Sequence, residues 1–237
     1  MNPLSGVLGE AWRMYKAHAG HLLAIAFIIY LGAAVIAALL ARAWVVGSVL
    51  VFIVEIIAAF LLQAALVKAV QDVRDGRADL SIGETVSAAT PYIWPVLAAS
   101  FLGGIAIAIG LALVIVPGLY LITIWAVIVP VIVLERTGVF GAFGRSYRLV
   151  RGNGWHVFFT LVLLFVIMLV VQLVLGLIFA ALPNFWRTGL SSVISGTLIA
   201  PFVALVVTLV YYRLSGEAQA TAPPGSGEAS GESRQTP

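Results

Sequence analysis

The chain has 237 residues, of which 62% are hydrophobic and only 10% charged, with a net charge of +3 and no cysteine. Soluble domains run at about 45–50% apolar and about 25% charged, so this composition excludes an ordinary water-soluble globule. The absence of cysteine excludes disulfides, thiol catalysis and thiolate metal sites, and the small net charge points away from a nucleic-acid partner.

With no water in a bilayer core, long apolar runs must satisfy their backbone internally as helices. About 20 residues at 1.5 Å each cross about 30 Å of hydrocarbon. In chain order the pattern predicts an interfacial amphipathic helix over 3–19 and spans over 22–41 and 45–67. A second interfacial helix follows over 80–92, with spans over 95–116 and 119–134. A third follows over 138–152, with spans over 157–182 and 190–212. The first run follows Arg13 and Lys16 and ends at Ala41-Arg42-Ala43, which superficially resembles a secretory leader. At about 19 residues it is longer than a leader's apolar core of about 7–15, so it is expected to remain as a span.

No charge occurs from Pro95 to Leu134, a length that requires two crossings. Proline removes a donor and glycine permits a turn, so Val116-Pro117-Gly118-Leu119 is expected to form the hairpin, with Tyr120 in the headgroup layer. Pro130 and Pro201 fall inside spans and should kink them. Trp12, Trp44, Trp94, Trp155 and Trp186 fall near span ends, as an aromatic belt requires, whereas Trp125 lies inside. From Ser215 to Pro237 the chain turns to Gly, Ser, Ala, Pro and Glu, and is expected to be a disordered tail.

Eleven of the 13 Lys and Arg residues fall on one side of this arrangement; Arg42 and Arg187 alone fall on the other. The positive-inside rule then places both termini in the cytoplasm and the chain in the inner or plasma membrane, with anionic headgroups as partners at that face. The expected fold class is all-α: a polytopic integral membrane protein of six transmembrane helices plus short interfacial helices. A threefold internal repeat is also expected. Residues 7–20 match 139–152 at Val7/Val139, Gly9/Gly141, Arg13/Arg145, Tyr15/Tyr147 and Gly20/Gly152, and Gly9-Glu10 matches Gly83-Glu84 in a weaker middle copy.

In the third interfacial helix Phe140, Phe143, Tyr147 and Val150 follow a helical apolar stripe. Arg145, Arg148 and Arg151 are candidate headgroup contacts off or beside that stripe. Glu55 is the one charged residue deep within a predicted span, and a carboxylate there is costly unless partnered. It is expected as a neutral acid between helices, with Gln63, Ser100, Thr123 and Gln172 as candidate companions. Two roles remain open for it, a cement between helices and a proton or cation relay. Glu135 is expected to pair locally with Arg136. His18, His21 and His156 are too scattered for a metal site. Phosphate-loop, zinc-motif and Ser-His-Asp patterns are absent from the sequence, so no cofactor and no enzymatic activity are expected. Gly103, Gly104 and Gly110 read as packing positions.

The stretch VIVPGLYLITIWAVIVPVIVLERTGVFGAFGRSYRLVRGNGW, from Val114 to Trp155, carries Pro117-Gly118, Trp125, Pro130, Glu135, Gly138, Ala142, Arg145-Ser146, Leu149 and Gly152. It resembles the multi-span membrane domain fused to some bacterial glycerophosphoryl diester phosphodiesterases, and related uncharacterised stand-alone membrane proteins. The hydropathy pattern extends the likeness over 4–214, and Tyr211-Tyr212 is similar too. Arg213-Leu214 departs from the acidic residue and arginine that such domains often carry there. The resemblance implies a bacterial, all-helical membrane domain. It does not imply phosphodiesterase activity, which resides in a separate soluble barrel. Two functional readings follow: a non-enzymatic protein organising lipid or a protein partner of undefined kind, and a small transporter or lipid-handling protein using Glu55.

Overall fold

The computed structural model describes residues 4–40, 44–74, 81–180 and 184–220. Every regular element among them is helical. In order these are α1 (Val7–Ala17), α2 (Ala19–Leu40), α3 (Trp44–Arg74), α4 (Ile82–Ala89), a 3-10 turn (Thr90–Tyr92) and α5 (Ile93–Leu113). They continue with α6 (Ile115–Ile124), α7 (Ile128–Glu135), α8 (Val139–Val150), α9 (Gly154–Phe179) and α10 (Asn184–Ala220). Six stretches are long and apolar enough to cross a bilayer, with α6 and α7 together forming one of them. The chain is an all-α, polytopic membrane protein.

The packing has a cyclic, threefold character. The units α1–α2–α3, α4–α5–α6/α7 and α8–α9–α10 each place a short helix before a pair of long ones. Within each unit the long helices pair, as α2 with α3, α5 with α6 and α9 with α10. Between units, the first long helix leans on the second one of the unit before it: α5 on α3, α9 on α6, and α2 on α10 to close the ring. The short helices follow the same rule, with α4 on α3, α8 on α7 and α1 on α10. Helices α3, α7 and α10 also meet one another, and so form the centre. Their buried residues include Leu66, Val70, Val131, Ile132, Leu205 and Leu209. Helix α9 stands outermost, with Val157 and Leu164 as its buried residues and Phe159, Phe165, Leu169 and Leu173 exposed. A helix apolar on all sides and exposed on most of them is stable only in lipid.

Local chemistry explains the short helices. Ser81 accepts from the Glu84 amide while the Glu84 carboxylate accepts from the Ser81 amide at 2.8 Å, a reciprocal cap that starts α4. The chain passes from α7 to α8 through Arg136, whose φ of 54° is left-handed and uncommon for a side-chain-bearing residue.

Three expectations need correction. The hairpin between α5 and α6 turns at Val114, which is extended, and not at Pro117-Gly118. Pro117 and Gly118 lie in the first turn of α6, where proline's missing N–H would have no intrahelical partner in any case. The α6/α7 crossing does not kink at Pro130 but breaks outright over Trp125–Val127, five to three residues before it. A tail is expected from Ser215, but α10 continues through Ala220; residues 221–237 lie outside the described part. Of the belt tryptophans, Trp94 and Trp155 are exposed at the starts of α5 and α9 and Trp12 is exposed midway along α1, while the side chains of Trp44 and Trp186 lie outside the described part.

Gly118 holds the α5–α6 hairpin closed. A Cβ at this position would lie 2.7 Å from the Leu111 amide nitrogen and 2.4 Å from the Leu111 Cγ, whereas one on Gly104 would meet nothing within 4 Å. Gly118→Ala should therefore cost about 1–3 kcal/mol, as other overpacking substitutions do, while Gly104→Ala should be close to neutral. Unfolding of the detergent-solubilised protein, followed by circular dichroism, checks the contrast.

Candidate functional site

The break in the α6/α7 crossing is the most unusual feature of the bundle. It falls near the middle of the 21-residue stretch Ile115–Glu135. The Ile128 amide bonds to the Trp125 carbonyl instead of reaching back to Ile124. The Ile124 carbonyl therefore loses its helical donor at a depth where water cannot replace it. The Ser146 hydroxyl of α8 donates to it at 2.8 Å. Ser146 is fully buried, and the neighbouring Phe143 ring meets Trp125 edge-on at 4.8 Å and covers Gly103 of α5. Helix α8 is thus a wedge driven between α5 and α7.

That placement revises the reading of α8. Its buried face is Ala142, Ser146, Leu149 and Val150, while Phe140 and Tyr147 of the expected stripe are exposed. Arg145 does not face outward as a headgroup contact. Its Nε donates to both Glu135 carboxylate oxygens at 2.9 Å, and the Tyr211 hydroxyl donates to Glu135 Oε1 at 2.9 Å. The expected Glu135–Arg136 pair is therefore replaced by a clasp joining α7, α8 and α10. Adjacent residues on a helix end diverge, whereas α8 folds back to bring Arg145 alongside. Arg148 and Arg151 remain exposed.

A related clasp closes the ring. The Arg213 guanidinium of α10 donates to the Glu10 carboxylate of α1 and to the Ser5 carbonyl at 2.6 Å. The Tyr15 hydroxyl of α1 donates at 3.1 Å to the Leu198 carbonyl, three residues before Pro201, where the proline ring disturbs the α10 ladder. Burial pushes the Tyr15 hydroxyl above its ordinary pKa. In two of the three units, then, a short helix supplies a hydroxyl to a backbone carbonyl that lies three to six residues before a proline of the preceding unit.

Beside the break lies a cleft of about 470 Å³. Its walls come from α2, α3, α7, α9 and α10, and Ala126 of the break itself contributes. The lining is mostly aliphatic, with Gln63, Gln172, Ser195 and Tyr30 as its polar groups. Tyr30 crosses α10 at Gly196, where a Cβ would lie 2.4 Å from the ring. Volume and lining suit a small ligand or a lipid chain fixed by a few hydrogen bonds.

Of the sequence candidates, the cleft brings Gln63 and Gln172 together. Thr123 is buried elsewhere, with its hydroxyl bonded to the Leu119 carbonyl of its own helix, and Ser100 is half-buried on α5 outside the cleft. Glu55 is not buried between helices as expected. It is exposed, and no other described residue offers it a hydrogen bond or ion pair. At 100° per residue it shares the α3 face of Ala59, Leu62 and Leu66, all of which line the cleft. It therefore stands one turn beyond the cleft, toward the start of α3. Tyr30, Ser195 and Gly196 were not singled out from sequence, since an isolated small or aromatic residue in an apolar run carries no pattern. No family model, curated protein or solved structure matches the chain.

Removing the hydroxyl that seals the break should be costly. Ser146→Ala leaves the Ile124 carbonyl buried and unpaired, a loss of about 1–3 kcal/mol, whereas the exposed Ser87→Ala should change little. Equilibrium unfolding in mixed micelles measures both.

Proposed function

We propose that this is a non-enzymatic, lipid-handling membrane protein that takes an apolar chain into the cleft between α3, α7 and α10. The observation that carries the reading is the interrupted helix lining a cavity with a sparse set of polar groups. Irregular backbone is tolerated at membrane depth where it is buried or lines a cavity, and interrupted helices mark binding sites in many transport proteins. A pure scaffold is expected to have a filled core, and the 470 Å³ cleft favours lipid handling over that reading. Gln63 and Gln172 supply amide donors and acceptors, and Ser195 and Tyr30 supply hydroxyls, to a polar group along the chain. Glu55, on the same α3 face, offers a carboxyl group at the end of the cleft.

The proposed setting is the inner or plasma membrane of a bacterium, with both termini cytoplasmic. The charge asymmetry supports that orientation. The resemblance to the phosphodiesterase-linked membrane domain is proposed on the same residues as before. Pro117-Gly118, Trp125, Pro130, Glu135 and Arg145-Ser146 lie together in the hairpin, break and clasp, which gives the motif one physical purpose.

The test is photolabelling in nanodiscs with a zwitterionic phospholipid that carries a diazirine midway along one acyl chain. Label is expected on α3 residues 59–67 and α10 residues 199–207. Ala200→Trp, which fills the cleft, should lower that labelling several-fold while leaving label on α9 unchanged. Glu55→Gln should keep melting within about a degree, because no protein partner is lost. Labelling that follows lipid exposure alone, heaviest on α9 and indifferent to Ala200→Trp, would contradict the proposal.

A further inference from the structure

We propose that Glu55 and the cleft together form a binding site for a lipophilic amine, with the ammonium group against the carboxyl and the alkyl chain along the cleft. This rests on the reading that the cleft takes an apolar chain, and it names the class of molecule that carries the chain. Glu55 is exposed on α3, and no other described residue gives it a hydrogen bond or ion pair. It lies between Trp44 and Lys68, roughly 16–20 Å from either along the helix axis, and so stands deep in the hydrocarbon. A carboxyl at that depth is costly without a group to match it. The chain has no cation to offer there. Its sequence contains no Lys, Arg or His between His21 and Arg42, between Arg42 and Lys68, or from Pro95 to Leu134. The same holds between His156 and Arg187 and between Arg187 and Arg213. A second copy of the chain has none to offer either, so a counter-charge for Glu55 has to come with a ligand.

The register of α3 says what else that ligand carries. Ala59, Leu62 and Leu66 line the cleft, and Glu55 lies within about 40° of each around the helix. Ala59, the residue between Glu55 and the deeper part of the cleft, is small and exposed, so the face is open from the carboxyl inward. From Glu55 to Leu66 this face runs about 16 Å, comparable to an extended dodecyl chain. The polar groups inside the cleft, Tyr30, Gln63, Gln172 and Ser195, carry no formal charge. They can hydrogen-bond to a passing chain, but the ionic preference of the site falls to Glu55 alone. A hydroxyl at the chain's end could bond to the carboxyl without balancing its charge. An ammonium does both, in a charge-assisted hydrogen bond, and an anionic end would be repelled.

The test uses the full chain in phosphatidylcholine nanodiscs. Two dodecyl probes carry a diazirine midway along the chain and end in a primary amine or in a hydroxyl, and labelled peptides are quantified by mass spectrometry. In wild type the amine probe should label α3 residues 59–67 and α10 residues 199–207 about tenfold more than the hydroxyl probe. Glu55→Gln should bring the two probes within about twofold of each other. That variant alters an exposed side chain without a protein partner, so the bundle stays folded. Ala200→Trp should lower labelling by both probes several-fold. Equal labelling of wild type by the two probes, or an amine preference that survives Glu55→Gln, would overturn the amine site. If equal labelling still falls on the cleft peptides, the lipid-handling reading stands and the amine alone is refuted. Labelling that avoids those peptides with either probe would refute both.

Discussion

One unsatisfied carbonyl governs the middle of this bundle. Where α6 gives way to α7, the Ile124 carbonyl loses its helical partner at a depth without water. An unpaired peptide group in hydrocarbon costs several kcal/mol, so the break persists only because Ser146 reaches it. Much follows from that single bond. It requires α8 to sit between α5 and α7, which brings Phe143 over Gly103 and Arg145 to Glu135. The clasp then draws in Tyr211 of α10. The splaying of the crossing at Trp125–Val127 also leaves Ala126, Val129 and Pro130 as one wall of the cleft.

The threefold pattern shows the same solution used twice. Helix α1 addresses α10 as α8 addresses the α6/α7 crossing, with a hydroxyl to a carbonyl near a proline and an Arg–Glu pair at the end of the helix. The donors differ, Tyr15 in one and Ser146 in the other, and the charges are reversed: the arginine comes from the short helix in one clasp and from the long helix in the other. Helix α4 is shorter, packs on a helix without proline, and is held by its own capping box instead. The middle unit is thus the least like the others in structure, as it is in sequence.

Hydropathy and charge made the six crossings and the three short helices legible, because a 20-residue apolar run has few alternatives in a bilayer. What they could not show is facing. Helix α3 is apolar on every side, so no periodicity distinguishes its cleft face from its core face, and Glu55, expected between helices, is exposed instead. The Glu135–Arg145 clasp and the cap on Ile124 join residues far apart in sequence, and only the fold brings them together. Pro117 misled for a different reason: a proline in the first turn of a helix and a proline in a hairpin look the same in sequence. In α8 the large residues suggested the buried stripe, yet the tight approach to α7 selects the small ones, Ala142 and Ser146.

The central claim is that α8 is wedged at the break and does not merely lie on the membrane surface. Because the chain has no cysteine, Gly103→Cys with Phe143→Cys gives a clean pair for cross-linking in native membranes. A short bifunctional thiol reagent should join them quickly and within one chain, while a pairing of Gly103→Cys with Gly141→Cys, exposed on the opposite side of α8, should react far more slowly. Equal rates for the two pairs, or no cross-link between 103 and 143 when both thiols react singly, would mean that α8 lies outside the bundle, and the account of the break would be wrong.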